Sequence, residues 1–191
     1  RIEAELYEID SGLPPANAIF VASANGFSQV PAVLTHGRAI FRARLIDGGT
    51  ALEYELRYDL MGNLRKVSVH IGQPGVKGAV ALNLCMPDMP GVTGTPTPDC
   101  PDENIGTMVG MILPQDLMPQ ASDQGVVDFQ TLVAAMASRI AYIDIETTRF
   151  DAHGEVRGQI APLRIANGGP GGPVAGEPDG PFGGSDSEPP R

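Results

Sequence analysis

The sequence predicts an all-β fold, an antiparallel Greek-key sandwich or partly closed barrel with one short helix and an extended Gly/Pro-rich C-terminal tail. Three observations predict it. Period-two alternation is nearly complete from Ala51 to Leu60, where Leu52, Tyr54, Leu56, Tyr58 and Leu60 share one face and Glu53, Glu55, Arg57 and Asp59 the other. The 191 residues include 24 glycines and 18 prolines and no tryptophan, a composition of short strands and many turns. Only one stretch, about 128–139, places apolar residues at helical spacing.

The elements follow in order. Residues 1–17 read as an N-terminal extension that includes the acidic segment Ile2–Asp10. The uncharged run from Ser11 to Gly37 is broken by Pro14, Pro15, Asn17, Asn25 and Pro31, short of the ~20 apolar residues a membrane span needs. No transmembrane segment is therefore expected within residues 1–191. Phe41, Ala43 and Leu45 oppose Arg42 and Arg44, and Asp47-Gly48-Gly49-Thr50 supplies a turn, so residues 39–60 read as a hairpin. Lys66–Ile71 puts Val67, Val69 and Ile71 inward and Ser68 and His70 outward. A turn at Gln73–Gly78 then feeds Ala79–Leu84, and a Pro-rich loop spans 85–104.

A strand at about 105–112 ends at Pro114, and Gln115-Asp116-Leu117 starts one helical turn. Asp128 is the expected N-cap of the helix, with Phe129, Leu132, Val133 and Met136 on its apolar face. Strands at about 140–148 and 155–165 close the domain. Beyond it, 14 of the 24 residues from Gly168 to Arg191 are Gly or Pro, which cannot build a core. A linker or docking arm is expected there, over 166–191.

The formal net charge of −10 argues against nucleic acid and anionic membrane surfaces as partners. With Arg1 in place of an initiating Met, an upstream segment, a signal peptide or an N-terminal anchor, is expected to have been removed or not built. Cys85 and Cys100 flank the Pro-rich loop. In a reducing compartment they would be two thiols; in an exported protein they would bridge. The disulfide is the favoured reading, and a closed loop of about 16 residues would contribute roughly 3 kcal/mol. Were Cys85 reduced, Cys85-Met86-Pro87-Asp88-Met89 would offer soft sulfur donors to Cu(I).

Two separated segments carry the most information. The first is Val69-His70-Ile71-Gly72-Gln73-Pro74-Gly75-Val76-Lys77-Gly78-Ala79-Val80. The second is Ala141-Tyr142-Ile143-Asp144-Ile145-Glu146-Thr147-Thr148, followed by His153-Gly154-Glu155-Val156-Arg157-Gly158-Gln159-Ile160. Together with Asn25-Gly26-Phe27-Ser28-Gln29-Val30-Pro31-Ala32-Val33, Phe41, Leu52-Glu53-Tyr54 and the cysteine pair, they resemble the CHRD (chordin-type) domain over about residues 18–165. The resemblance implies a β-sandwich similar to that of Cu/Zn superoxide dismutase, an exported protein of bacterial type, and a Cys85–Cys100 bridge. It also implies a periplasmic or extracellular location, membrane-associated only through a partner or the lost anchor.

The departures from the family pattern bear on function. The family commonly shows His-x-His in the first segment and a His before Thr in the second; here those positions hold Ser68, His70 and Glu146. With three histidines in the chain, His36, His70 and His153, dismutase chemistry at copper and zinc is not expected. His70 and Glu146, with His153, remain candidate metal ligands, for copper or zinc; otherwise Ser68, His70, Asp144 and Glu146 form a surface hydrogen-bond cluster. Glu155 and Arg157, two apart, are expected to pair side by side on one strand face, with Gly154 and Gly158 serving turn and bulge geometry.

No nucleophile motif, phosphate loop or zincin pair is present. The first expectation is a non-catalytic exported structural subunit that binds other protein subunits, membrane-embedded ones among them. It would cap the extracytoplasmic face of a larger complex, for instance photosynthetic or respiratory. No cofactor is expected; the alternative is a periplasmic copper- or zinc-binding protein.

Overall fold

Alternation shapes most of the sheet. The computed structural model describes residues 14–87 and 97–163, and the expectations for the N-terminal arm, for Asp88 and Met89, and for the Gly/Pro tail lie outside the described residues. Nine strands run in chain order: β1 (Ile19–Asn25), β2 (Arg38–Ile46), β3 (Ala51–Asp59), β4 (Leu64–Ile71), β5 (Val80–Cys85), β6 (Ile105–Ile112), β7 (Ala141–Thr147), β8 (Val156–Gln159) and β9 (Ala161–Pro162). The helix is α1 (Phe129–Ala137).

The pairing is antiparallel throughout and the sheet order is β5-β4-β7-β8-β1-β2-β3-β6, with β9 pairing on β1. This single ribbon wraps into a nearly closed barrel or sandwich around Phe20, Phe41, Leu52, Leu56, Val67, Leu82, Ile143 and Ile145, all buried. Burying each such side chain contributes about 1.5–3 kcal/mol, so the core is the main stabilising term. No helix among the described residues is long and apolar enough to cross a membrane.

The 39–60 hairpin forms as expected, with Phe41 opposite Leu56 and Ala43 opposite Tyr54. Asp47, Gly48 and Gly49 all take positive φ in its turn. Asp128 caps α1 by accepting from the backbone N–H of Thr131 at 2.8 Å, and Leu132 and Met136 are buried beneath it. The Cys85–Cys100 disulfide is formed.

One strand was not read in the sequence, and two element bounds differ from the expected ones. The uncharged segment after Pro15 holds β1, a central strand between β8 and β2, with Phe20, Ala22 and Ala24 in the core. The strand expected over 155–165 breaks at Ile160, so that β8 serves β7 and β9 serves β1. The helix spans 129–137 because Asp128 lies outside it as the cap and Arg139 has left-handed φ.

The two ends of the ribbon are treated differently. Along β5, Met118 N donates to Ala81 O at 2.8 Å and the disulfide fixes Cys85. Among the described residues, β6 pairs with β3 alone.

Candidate functional site

Side by side, β4, β7 and β8 bring three rows of residues into register. His70 lies opposite Tyr142 and Tyr142 opposite Gln159; Ser68 faces Asp144 and Asp144 faces Arg157; Lys66 faces Glu146. This face was expected to be solvent-facing. Instead Ser68 is fully buried and His70, Asp144 and Glu146 are half-buried. The 72–78 loop, the 148–154 turn and Gln29 fold over it, leaving a cleft of about 140 Å³. His70, Glu146 and His153 all line this cleft, as do Gln29, Lys77, Tyr142 and Arg157.

Most polar groups of the cleft, His70, Asp144, Glu146, Tyr142 and Arg157 among them, have an internal partner. Nδ1 of His70 lies 3.0 Å from the Gly78 carbonyl, which can only accept, so Nδ1 carries the proton. Nε2, 2.9 Å from Ser68 Oγ, then accepts from the hydroxyl. Burial lowers the His70 pKa, with the Gly78 carbonyl, Asp144 and Glu146 working against that and Lys66 adding to it. Asp144 accepts from Gln29 Nε2 and burial raises its pKa, opposed by that hydrogen bond and by His70. Glu146 and Lys66 pair at 3.1 Å.

Tyr142 is the centre of a stack across the three strands. The His70 ring lies 5.0 Å from its ring centroid at 14°, and the Arg157 guanidinium carbon sits 3.5 Å from the centroid. Its hydroxyl accepts from Gly78 N at 3.1 Å. Burial raises the Tyr142 pKa and lowers that of Arg157. Such a cation over an aromatic face contributes on the order of 0.5–2 kcal/mol. Arg157 also donates to Gln73 O at 3.0 Å, tying the 72–78 loop to the sheet.

Glu155 and Arg157 do not pair with each other, contrary to expectation. β8 begins only at Val156, so the same-face rule for strand neighbours does not reach Glu155. Its carboxyl group is buried, and Oε1 accepts from Thr35 Oγ1 and Met61 N, both at 2.8 Å, while Oε2 accepts from Thr147 Oγ1 at 2.9 Å. One side chain thus joins the β1–β2 loop, the β3–β4 turn and the end of β7.

Gly154 turns the chain with φ 78°, and a Cβ there would collide with Gln29 Nε2 and lie 2.7 Å from Asp144 Oδ1. Gly158 makes no bulge; a Cβ there would lie 2.8 Å from the Ser23 backbone, so glycine lets β1 and β8 approach.

Among the described residues, no three His, Cys, Asp or Glu side chains come together closely enough to hold a metal ion. His70, Glu146 and His153 share a cleft without forming a ligand set. Ser68 and His70 have the atoms of a nucleophile and base, but Ser68 is sealed from solvent and His70 leans on a carbonyl rather than a carboxylate. Tyr142 and Lys77 were not singled out in sequence; the cross-strand register of Tyr142 with His70 was the available signal.

Two further clefts flank the 26–37 loop. One, of about 270 Å³, lies between Phe27 and Pro74-Gly75; the other, of about 240 Å³, between Leu34, Met61 and Phe150. Phe27 is 72% and Leu34 88% exposed.

No curated protein and no solved structure matches the chain. The CHRD domain family model matches residues 20–160, the span that holds all nine strands but the last pair of residues, β9, and the start of β1. With most of its length covered by that model, and with Gly154, Glu155, Arg157 and Gly158 each placed in the fold, the chain belongs to the CHRD domain family.

Proposed function

We propose that this chain is a non-catalytic, extracytoplasmic β-domain that docks onto another protein subunit through the loop end of the barrel. Family membership supports the location, since CHRD domains are typical of secreted and extracellular proteins. The observation that carries the binding role is the pair of large apolar side chains, Phe27 and Leu34, held out on the 26–37 loop between two clefts. Exposed aromatic and aliphatic groups beside concave surface are what a partner interface needs. The loop is anchored for this purpose: Asn25 Oδ1 accepts from Ser28 N at 3.0 Å, and Thr35 donates to the buried Glu155.

The non-catalytic part rests on the main cleft, where Asp144, Glu146 and His70 are engaged by Gln29, Lys66, Ser68 and Gly78. The test is native-size fractionation of extracts from the source cells, membranes included, with wild-type and Phe27→Lys, Leu34→Lys chains. Co-migration with a larger assembly that the variant loses supports the reading. A wild-type chain that migrates alone ends it.

The second reading, a copper- or zinc-binding protein, draws on the convergence of His70, Glu146 and His153 at one cleft. Metal analysis of the untreated protein decides it. Stoichiometric copper or zinc that His70→Ala abolishes would support it, and background levels would end it.

A further inference from the structure

Among the described residues β6 is an open edge strand, and its composition is unusual. From Ile105 to Ile112 it reads Ile-Gly-Thr-Met-Val-Gly-Met-Ile, eight residues without a charge or a proline. Its outer row is Ile105, Thr107, Val109 and Met111, with Ile105 62%, Val109 72% and Met111 51% exposed. Edge strands in soluble proteins are usually protected by charge, proline, a bulge or a cover. The other end of this sheet has such a cover, where Met118 lies along β5. Among the described residues nothing pairs with the outer edge of β6.

We infer that β6 pairs antiparallel with β6 of a second copy of this chain, about a two-fold axis at Met108. Three observations select a second copy as the occupant. The strand is close to a palindrome about Met108: Thr107 and Val109, Gly106 and Gly110, and Ile105 and Met111 stand at equal distances on either side. In the two-fold register each of these lies opposite its counterpart in the partner, so Ile meets Met, Thr meets Val and glycine meets glycine. A self-matching patch is what a two-fold interface demands.

The second observation is electrostatic. At a net charge of −10, two copies repel over most of their surface, and they meet without like-charge contact only where the surface is neutral. β6 is an uncharged edge, whereas the outer faces of β2 and β3 beside it carry Arg38, Arg42, Arg44, Glu53, Glu55, Arg57 and Asp59, most of them already paired within the chain. The third is geometric. Tyr58 and Tyr54 reach under Gly106 and Gly110, which have no room for a side chain, so the inner face of β6 is filled and its backbone is held extended. The strand is presented ready-made, with outer-edge N–H and C=O groups that no described residue engages.

The dimer uses β6 rather than Phe27 and Leu34, and Val109→Lys and Leu34→Lys test the two readings separately. The experiment is sedimentation of the purified full chain over a wide concentration range, comparing wild type with Val109→Lys and with Val127→Lys. Val127 is 69% exposed and lies outside β6. Wild type and Val127→Lys are expected to pass from monomer to twice the 20.0 kDa mass, and Val109→Lys to stay monomeric over the same range with its dissociation constant raised at least tenfold, its urea midpoint matching wild type at concentrations where both are monomers. A Thr107→Cys, Val109→Cys double variant is expected to form an inter-chain disulfide under oxidising conditions. Wild type that remains monomeric throughout overturns the inference, as does a dimer indifferent to Val109→Lys.

Discussion

Removing the buried carboxyl of Glu155 is the sharpest test of how the loop end is held. Its two oxygens accept from Thr35 Oγ1, Met61 N and Thr147 Oγ1, within a 0% exposed side chain. Glu155→Ala strands the Met61 amide, which cannot turn away, at about 1–3 kcal/mol. The two hydroxyls recover part of their loss by rotating, and the vacated space adds a cavity term. The sum is roughly 3–5 kcal/mol, within the range for breaking a buried polar network. For a chain of this length that is a Tm lower by roughly 6–20 °C.

Glu155→Gln keeps an acceptor for Thr35 and Met61 and offers Thr147 an N–H in place of an oxygen. The Thr147 hydroxyl can accept it, so the expected cost is only about 1–2 kcal/mol. Urea unfolding by circular dichroism, with calorimetric Tm, measures both. A loss under 1 kcal/mol for Glu155→Ala, or equal losses for both variants, would refute the hydrogen-bond account.

Three other outcomes follow from the structure. Gly154→Ala should destabilise by about 2–4 kcal/mol, against about 1 kcal/mol for Gly75→Ala, because both have φ 78° but only Gly154 is crowded; urea midpoints of the two variants give the comparison. Cys85→Ser, Cys100→Ser should lose roughly 3 kcal/mol of the unfolding free energy, read in urea against the oxidised protein. Burial holds the folded His70 pKa below its ordinary value of 6.5, so the unfolded chain takes up that proton first. Its contribution is therefore intact above about pH 6.5 and is lost as pH falls toward the folded value. Asp144, raised by burial, contributes with the opposite sign, its share lost as pH rises through and above the ordinary carboxylate range. Urea midpoints measured from pH 7 to pH 5 should fall more steeply for wild type than for His70→Gln.

Strands whose two faces differ in polarity were legible in the sequence. β2 and β3 alternate apolar with charged residues, so their period and turn could be read directly. β1 could not, because Ile19 and Val21 on one face are as apolar as Phe20 on the other and no charge marks a side. The site was legible as a set of neighbours and illegible in depth. Strand periodicity placed His70, Ser68, Asp144 and Glu146 on one face, but it carries no information about the loops that roof that face and bury Ser68. Arg157 illustrates the same gap: its partners, Tyr142 and the Gln73 carbonyl, lie 15 and 84 residues away, beyond any local pattern.

The unequal ends of the sheet also set how many copies can join. A ribbon open at both ends would let each copy recruit another on either side, and the growth would have no stopping point, as in a cross-β fibre. Here Met118 and the Cys85–Cys100 bridge occupy one end, leaving, among the described residues, a single valence at Ile105–Ile112. A molecule with one valence terminates at two. The modest loop that covers β5 therefore acts as the chain stop, and loosening it would turn a dimerising domain into a polymerising one.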